Sequence, residues 1–200
     1  MNPELPDSEE KRLLASLQKG HKEAMGVIFD QYYTDLYHYG RRVCNDPAQV
    51  EDSIQELFVQ LWQKREEAGK IARLKPYLLG ALRNMLLKSL QRQQRQTGLP
   101  DNEAQWAHEA ELPFEMRWIV EEEQAATDQK LQAFMAGLAP RQQEIIHLKF
   151  FQGLSYDEIE QAMHIRRQSV HNLLREALTA LRKQWVGHVW LCSFLLEIFF

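Results

Sequence analysis

Apolar residues recur along this chain with the 3.6-residue period of an α-helix, and an alternation of period two is nowhere sustained. This periodicity predicts an all-α protein. Helices are predicted over Glu9–Lys19 and Lys22–Val43. A third begins at Asp46-Pro47, a favourable N-cap followed by proline at the first helical position. A fourth begins at Pro76 and runs to about residue 95.

The apolar stripes of these helices define the expected core. The third helix buries one stripe, made of Val50, Ile54, Leu57, Phe58, Leu61 and Trp62. The apolar ridge of the fourth consists of Leu79, Leu82, Leu86 and Leu90. A separate polar ridge of the fourth helix consists of Gly80, Asn84, Lys88, Gln91 and Arg95.

The composition is ordinary for a soluble globular protein. Of 200 residues, 44% are apolar and 26% charged, which argues against disordered, collagen-like and multi-span membrane classes. The length suggests one or two domains. The two cysteines, Cys44 and Cys192, argue against a disulfide framework or a cysteine-built zinc site. Residues 1–20 lack an apolar signal-peptide region, so we expect a cytoplasmic protein without a transmembrane span.

No motif of an enzyme active site stands out. The seven histidines form no metal-ligand spacing, and there is no glycine-rich phosphate loop and no serine elbow. We therefore expect no catalytic residue, no metal, no cofactor and no small-molecule substrate.

Charge is sorted along the chain, although the net charge is only −4. Residues 68–100 include seven basic side chains and no acidic one. Residues 101–124 include eight acidic side chains and one arginine, and residues 166–183 include five basic side chains and one glutamate. Basic blocks suit the phosphate backbone of nucleic acid. The acidic block must point away from that backbone or mimic it.

The acidic block lies in a segment that divides the chain. From Gln96 to about Glu123 there is no amphipathic repeat, and prolines interrupt the segment, with one short helical turn expected near Trp118. We predict a helical body over 1–95, an acidic linker over 96–125, a second helical body over 126–185 and an apolar tail over 186–200. The tail is shorter than the roughly 20 apolar residues of a membrane span. It either packs on the helical body or docks on a partner or a membrane surface.

A helix-turn-helix is predicted in the second body. Pro140 begins a helix that ends at Gly153, and a capping box over 155–158 opens a short helix. A turn from His164, without the usual glycine, leads into a longer helix from Gln168. The entrance and polar face of that helix carry side chains that donate to phosphates and base edges: Arg166, Arg167, Gln168, Ser169, His171, Asn172 and Arg175. A helical hairpin with a solvated basic face is the alternative.

With these motifs the chain resembles a bacterial sigma factor of the extracytoplasmic-function (ECF) class, the smallest members of the sigma-70 family. The run EDSIQELFVQLW over 51–62 is similar to the helix of region 2 that binds core polymerase. YLLGALRN over 77–84 is similar to the next helix, which helps to open the promoter. LAPRQ over 138–142, SYDEI over 155–159 and SVHNLLR over 169–175 are similar to region 4. Family members commonly have tryptophan where Tyr77 stands and aspartate where Lys88 stands.

The resemblance implies three sets of contact residues. On the helix over 51–62, a surface for a cationic clamp helix of the polymerase would consist of Asp52, Gln55 and Glu56. The loop over about 66–75 and the helix after it would hold a flipped base of the minus-ten element, with cations and an aromatic platform as candidates: Lys70, Arg73, Lys75, Tyr77, Asn84 and Lys88. The seven helix-turn-helix residues would read the minus-thirty-five element in the major groove.

The implied function is promoter-specific transcription initiation by a protein that is not an enzyme. The implied partners are core RNA polymerase, promoter DNA and an anti-sigma factor, and in the family the linker threads the polymerase cleft. Two other classes stay open. A stand-alone helix-turn-helix regulator would not need the motif over 51–62 and usually binds DNA as a dimer. A polymerase-binding adaptor that does not read DNA would need only the first body.

Overall fold

The computed structural model describes residues 6–96, 135 and 137–185, and this part of the chain is helical, without a strand. The elements are α1 (Asp7–Gln18), α2 (Lys22–Val43), α3 (Pro47–Gln63), a 3₁₀ turn (Arg65–Lys70), α4 (Leu74–Gln96), α5 (Pro140–Ile146) continued by a π-helical turn (His147–Phe151), α6 (Tyr156–Met163) and α7 (Arg167–Trp185). The all-α prediction is confirmed. The predictions for the linker beyond Gln96 and for the tail over 186–200 lie outside the described residues.

Helices α1 to α4 form the first body around one apolar core. The predicted stripe of α3 is buried except at Trp62, which packs half-buried against the core. The cap of α3 is confirmed, because Asp46 Oδ1 accepts a hydrogen bond from the Ala48 N–H at 3.0 Å. On α4 the predicted apolar ridge is buried at Leu79, Leu82 and Leu86. Burial of these stripes supplies most of the helical stability.

Helix α4 begins at Leu74, two residues before the predicted start at Pro76. Its first N–H groups need acceptors that the helix itself cannot supply. Glu10 of α1, which is buried, accepts a hydrogen bond from the Leu74 N–H across 64 positions of sequence. The start of α4 is therefore set by a tertiary contact that periodicity does not reveal.

The second body consists of α5 to α7 and has the predicted helix-turn-helix layout. The capping box is confirmed: Ser155 N–H donates to Glu158 Oε2 at 2.8 Å, and Glu158 N–H donates to Ser155 Oγ at 3.3 Å. The helix from Pro140 passes through the π-helical turn and ends before Gly153, which has a positive φ of 71°. His164 ends α6 with φ 54°, so it adopts the left-handed conformation that glycine usually supplies.

The two bodies pack against each other, with α6 lying on α4. The polar ridge of α4 is not exposed throughout. Gly80 is buried, and a Cβ built on it would lie 3.1 Å from the Cα and the carbonyl oxygen of Ala162 on α6. The ridge is therefore partly an interface between the bodies.

Candidate nucleic-acid interface

The acidic face of α3 lies on the outside of the first body. Asp52, Gln55 and Glu56 are exposed, whereas the neighbouring Ile54 and Leu57 are buried. Glu56 Oε1 accepts a hydrogen bond from a Gln60 amide at 2.8 Å. A cationic partner can reach these carboxylates without any rearrangement of the core, so the face is suited to electrostatic docking.

Two of the basic candidates lie near the 3₁₀ turn, which occupies most of the predicted loop over 66–75. Lys70 is exposed, and its Nζ lies 3.7 Å from Glu67. Arg73 is more deeply engaged, with its guanidinium 3.2 Å from Asp7, 3.2 Å from the buried Glu10 and 3.8 Å from Glu158 of α6. A phosphate would have to compete with three carboxylates for Arg73, but only with one exposed carboxylate for Lys70.

Lys75, one of the residues predicted to meet the minus-ten element, is buried in this structure. Its side chain is 7% exposed, and its Nζ lies 3.1 Å from Asp35 of α2. Removing the ammonium from a buried pair leaves the partner charge uncompensated, which costs about 3–5 kcal/mol. Lys75 therefore holds α4 to α2, and we no longer count it among the DNA contacts.

The three candidates on α4 itself differ in exposure. Lys88 is exposed and Tyr77 is half-buried against the core. Asn84 Nδ2 lies 2.8 Å from His164 Nε2, which makes it a hydrogen-bond partner of the turn in the second body. The six residues predicted to meet the minus-ten element are therefore not gathered on one open surface in this arrangement.

The candidate face of α7 is open. All seven predicted residues are exposed: Arg166, Arg167, Gln168, Ser169, His171, Asn172 and Arg175. Opposite them, Val170, Leu174 and Ala177 are buried in the second body. The helix-turn-helix thus presents a face whose donors include guanidinium, amide, hydroxyl and imidazole groups, and the apolar stripe of α7 anchors it.

Two contacts organise this face. Gln168 Nε2 donates to Asn172 Oδ1 at 3.1 Å. The His171 ring stacks on Tyr156 of α6, with centroids 4.4 Å apart. These residues line an open groove of about 640 Å³ that continues along α7 past Arg175 to Arg182. The groove combines positive charge with flat ring surfaces.

Sequence reasoning missed a buried polar cluster between the bodies. Arg83 of α4 donates from Nε to Glu144 Oε1 at 2.7 Å and from Nη2 to Glu144 Oε2 at 3.3 Å. The Tyr39 hydroxyl of α2 donates to the same Oε1 at 2.6 Å. All three residues are buried, and Glu144 is 0% exposed. The sequence gives one indication of this cluster. Residues 68–100 contain no acidic side chain, so an arginine buried in that block must pair with a carboxylate from another part of the chain.

The charges of this cluster are stabilised by one another. Burial, the largest single effect, lowers the pKa of the Arg83 guanidinium, but the charge of Glu144, the interaction with Tyr39 and the hydrogen bonds to both together raise it above its ordinary value. Burial and the charge of Glu144 raise the pKa of the Tyr39 hydroxyl well above its usual range. The cluster therefore consists of a guanidinium, a carboxylate and a neutral phenol.

His147, in the π-helical turn, packs beside the cluster. Its ring stacks between Tyr39, with centroids 6.1 Å apart, and Phe151, at 5.6 Å. Burial lowers the pKa of His147 well below its usual range, and the nearby positive charges of Arg42, His38 and Lys75 lower it further. His147 is therefore neutral around pH 7.

Two further observations concern only the described residues. Among them, no group of three or more histidine, cysteine, aspartate or glutamate side chains could hold a metal ion. None of the described helices is both long enough and apolar enough to cross a membrane.

The family comparisons match both bodies. The model of sigma-70 region 2 matches residues 28–96, and that of sigma-70 region 4 matches residues 128–181. Similar proteins include the ECF RNA polymerase sigma factor SigL of Mycobacterium tuberculosis, 27% identical over 160 residues (79% of this chain, 86% of SigL). SigX of Bacillus subtilis, also an ECF RNA polymerase sigma factor, is 24% identical over 169 residues (81% of this chain, 84% of SigX).

Two solved structures have a similar fold. The sigma factor RpoE in its complex with the anti-sigma factor NepR, from Bartonella quintana, superposes with a TM-score of 0.60 at 16% identity, covering 85% of this chain and 99% of that one. CnrH in its complex with the cytosolic domain of CnrY gives 0.58 at 16% identity, covering 90% and 98%. At this identity the likeness concerns the fold alone.

Proposed function

We propose that this chain, which belongs to the ECF class of the sigma-70 family, directs core RNA polymerase to promoters by reading two DNA elements with its two bodies. The observation that carries the proposal is the pairing, within one chain, of an exposed acidic face on α3 with an open helix-turn-helix face on α7. A sigma factor needs both faces. A stand-alone DNA-binding regulator has no use for the first, and an adaptor that does not read DNA has none for the second.

Core polymerase binds the acidic face of α3 in this proposal. Asp52, Gln55 and Glu56 are exposed and stand on a helix whose other side is locked into the core. Two carboxylates one helical turn apart repel each other by roughly 0.2–0.5 kcal/mol in an isolated helix. A cationic clamp helix on the polymerase would relieve that repulsion on binding.

The minus-thirty-five element is read by α7 in the major groove. The N-terminal part of the second helix of a helix-turn-helix contacts base edges, and there Gln168, His171 and Asn172 are exposed. Arg166, Arg167 and Arg175 extend on either side and suit phosphates. Each bidentate base contact discriminates by about 1–3 kcal/mol, while the phosphate contacts position the helix.

The minus-ten element meets the first body. With Lys75 removed, the proposed contacts are Lys70, Arg73, Tyr77, Asn84 and Lys88, which combine cations with one aromatic platform as single-strand binding requires. Lys88 and Lys70 are accessible in the present arrangement. Arg73 and Asn84 have partners on the second body, so their use by DNA requires the bodies to separate.

An anti-sigma factor is a further proposed partner. The support is the pair of similar solved structures, since RpoE is bound to the anti-sigma factor NepR and CnrH to the cytosolic domain of CnrY. We assign no surface of this chain to that partner.

Gel filtration with bacterial core RNA polymerase tests the core-binding face. We expect the wild-type chain to co-elute with core and the Asp52→Lys, Glu56→Lys variant to elute separately. A charge-matched control changes the exposed Glu9 of α1 and Glu23 of α2 to lysine and should still co-elute. A wild-type chain that binds duplex DNA unaided but never associates with core would favour a stand-alone regulator.

Footprinting of the reconstituted holoenzyme tests the DNA assignments. Protection should cover both promoter elements, and Asn172→Ala should weaken protection of the upstream element alone. Association with core without protection of either element would favour the adaptor.

A further inference from the structure

Two stacked rings lie where α6 and α7 of the helix-turn-helix meet. The His171 ring of α7 stacks on the Tyr156 ring of α6, with centroids 4.4 Å apart and an angle of 22° between the ring planes. Both side chains line the open groove along α7. We call Tyr156 and His171 the ring pair. Tyr156 is not among the residues that sequence reasoning placed on DNA.

The Tyr156 ring is held in place from its own side of the groove. Tyr156 is the first residue of α6, directly after Ser155, whose capping box fixes the backbone at this point. Lys149 of the π-helical turn places its Nζ 5.2 Å from the ring centroid, within the range of a cation–π interaction. The same Nζ donates a hydrogen bond to the Leu154 carbonyl oxygen at 3.2 Å. The ring therefore has a defined position without DNA.

His171 is restrained by this ring although its side chain is exposed. An exposed side chain ordinarily samples several rotamers. Because stacking on Tyr156 restricts the imidazole, less conformational entropy is lost when it meets a base. Gln168 and Asn172 on the same face are restrained in another way, since their amides bond to each other at 3.1 Å.

Stacking covers one face of the imidazole and leaves its edge for contact with a base. In any protonation state an imidazole carries at least one N–H donor. In the major groove both purines present the N7 acceptor, which pyrimidines lack, and guanine presents O6 as well. A donor on a restrained ring edge is therefore suited to the N7 of a purine.

We infer that Tyr156 is a positioning residue for His171, and that the ring pair makes this protein prefer a purine at one position of the minus-thirty-five element through a hydrogen bond from His171 to N7. The inference rests on the proposed function, because it requires α7 to lie in the major groove. Arg166, Arg167 and Arg175 suit phosphates, so they add affinity without this preference.

Binding of the reconstituted holoenzyme to modified duplexes tests the inference. A promoter fragment is first selected by the wild-type holoenzyme from a library randomised over both elements. Each purine of its upstream element is then replaced, one at a time, by the 7-deaza analogue, in which carbon stands in place of N7. We expect a position at which this replacement weakens wild-type binding by roughly two- to tenfold, the range for one hydrogen bond.

Variants of the ring pair assign that effect to its residues. His171→Ala should abolish the sensitivity to 7-deaza replacement at one position and leave the other positions as in the wild type. Tyr156→Leu keeps apolar bulk but removes the aromatic ring, and it should reduce the sensitivity at the same position. Tyr156→Phe, which keeps the ring, should restore it. The double variant should match His171→Ala at this position, since the two residues act as a unit.

A purely structural role of Tyr156 would give a different pattern. Loss of folded protein weakens binding to every duplex by the same factor, so the ratio of affinities for the parent and 7-deaza duplexes would not change. Tyr33→Leu is the matched control, because Tyr33 of α2 is also half-buried and lies 5.0 Å from the Phe29 ring. It should leave that ratio unchanged.

Failure of the inference is distinguishable from failure of the proposed function. A selection that enriches no upstream sequence would overturn the assignment of α7 to the minus-thirty-five element, and the inference with it. Enrichment without a position whose 7-deaza sensitivity depends on His171 would overturn the hydrogen bond to N7. A position that depends on His171 but is unaffected by Tyr156→Leu would overturn the positioning role of Tyr156 alone.

Discussion

The polar faces of α4 and α7 carry similar residues, yet only the face of α7 is open. Its seven candidates are all exposed. On α4, Gly80 is buried under α6, Asn84 bonds to His164, and Arg83 is buried against Glu144. A basic segment therefore indicates that its side chains pair with anions. It does not show whether those anions belong to a partner or are carboxylates of the same chain. On α7 the side chains stay exposed, and the pair that Arg167 makes with Asp157 is itself exposed. On α4, Arg83 is paired with a carboxylate in the interior.

The largest effect on stability is expected at Glu144, which forms a buried ion pair with Arg83 of α4. Glu144→Ala should lower the free energy of unfolding by about 3–5 kcal/mol, because Arg83 and Tyr39 lose their common acceptor in the interior. Urea unfolding measures the loss. Asp157→Ala is the control, since it breaks the exposed Arg167–Asp157 pair at 2.7 Å, and such pairs contribute at most about 1 kcal/mol. Equal losses would mean that the bodies are not packed together in solution.

Lowering the pH should also reduce the free energy of unfolding, through His147 beside the buried cluster. The pKa of His147 is lowered by burial and by the charges of Arg42, His38 and Lys75, so the unfolded chain takes up this proton first as pH falls below about 6.5. Stability is then lost by about 1.4 kcal/mol per pH unit until the lowered pKa is reached, and above pH 6.5 this group has no effect.

Unfolding free energies measured from pH 7.5 to 5 test this expectation. His147→Phe should reduce the slope of the unfolding free energy against pH by the contribution of one proton. A residual slope is still expected, because the pKa of His38 is also lowered, by burial and then by Arg42. The exposed His21→Gln serves as the control. An unchanged profile in His147→Phe would show that this ring is not the titrating group.

An intermediate effect on stability is expected at the capping box that begins α6, the helix that packs on both α4 and α7. Ser155→Ala removes an acceptor for the Glu158 N–H and should cost about 1 kcal/mol. Helix α6 packs on both α4 and α7, so the melting temperature of the chain should fall, as measured by thermal unfolding. Ser155→Asp, which retains an N-cap acceptor, should restore it.

The smallest stability effect is expected on the open face. Gln168→Ala and Ser169→Ala should change the unfolding free energy by no more than about 0.5 kcal/mol, because both side chains are exposed. The same variants should weaken binding of the holoenzyme to a minus-thirty-five duplex, measured by fluorescence anisotropy. A loss of stability above about 1 kcal/mol would reveal that another part of the chain packs on this face.

Much of each body follows from local patterns in the sequence. Period-3.6 stripes place Ile54 and Leu82 in the core, and the caps at Asp46 and Ser155 form as predicted. The turn at His164 forms even without glycine. These features depend on residues within a few positions of one another, for which spacing alone specifies geometry.

The tertiary structure decided which polar groups are available. Lys75 and Arg83 are basic residues on α4 like Lys88, but only Lys88 is exposed, because carboxylates from α2 and α5 meet the other two. Glu10 likewise caps α4 from 64 positions away. Periodicity shows which side of a helix is apolar. It does not show which distant carboxylate approaches the polar side, since that depends on how the helices pack.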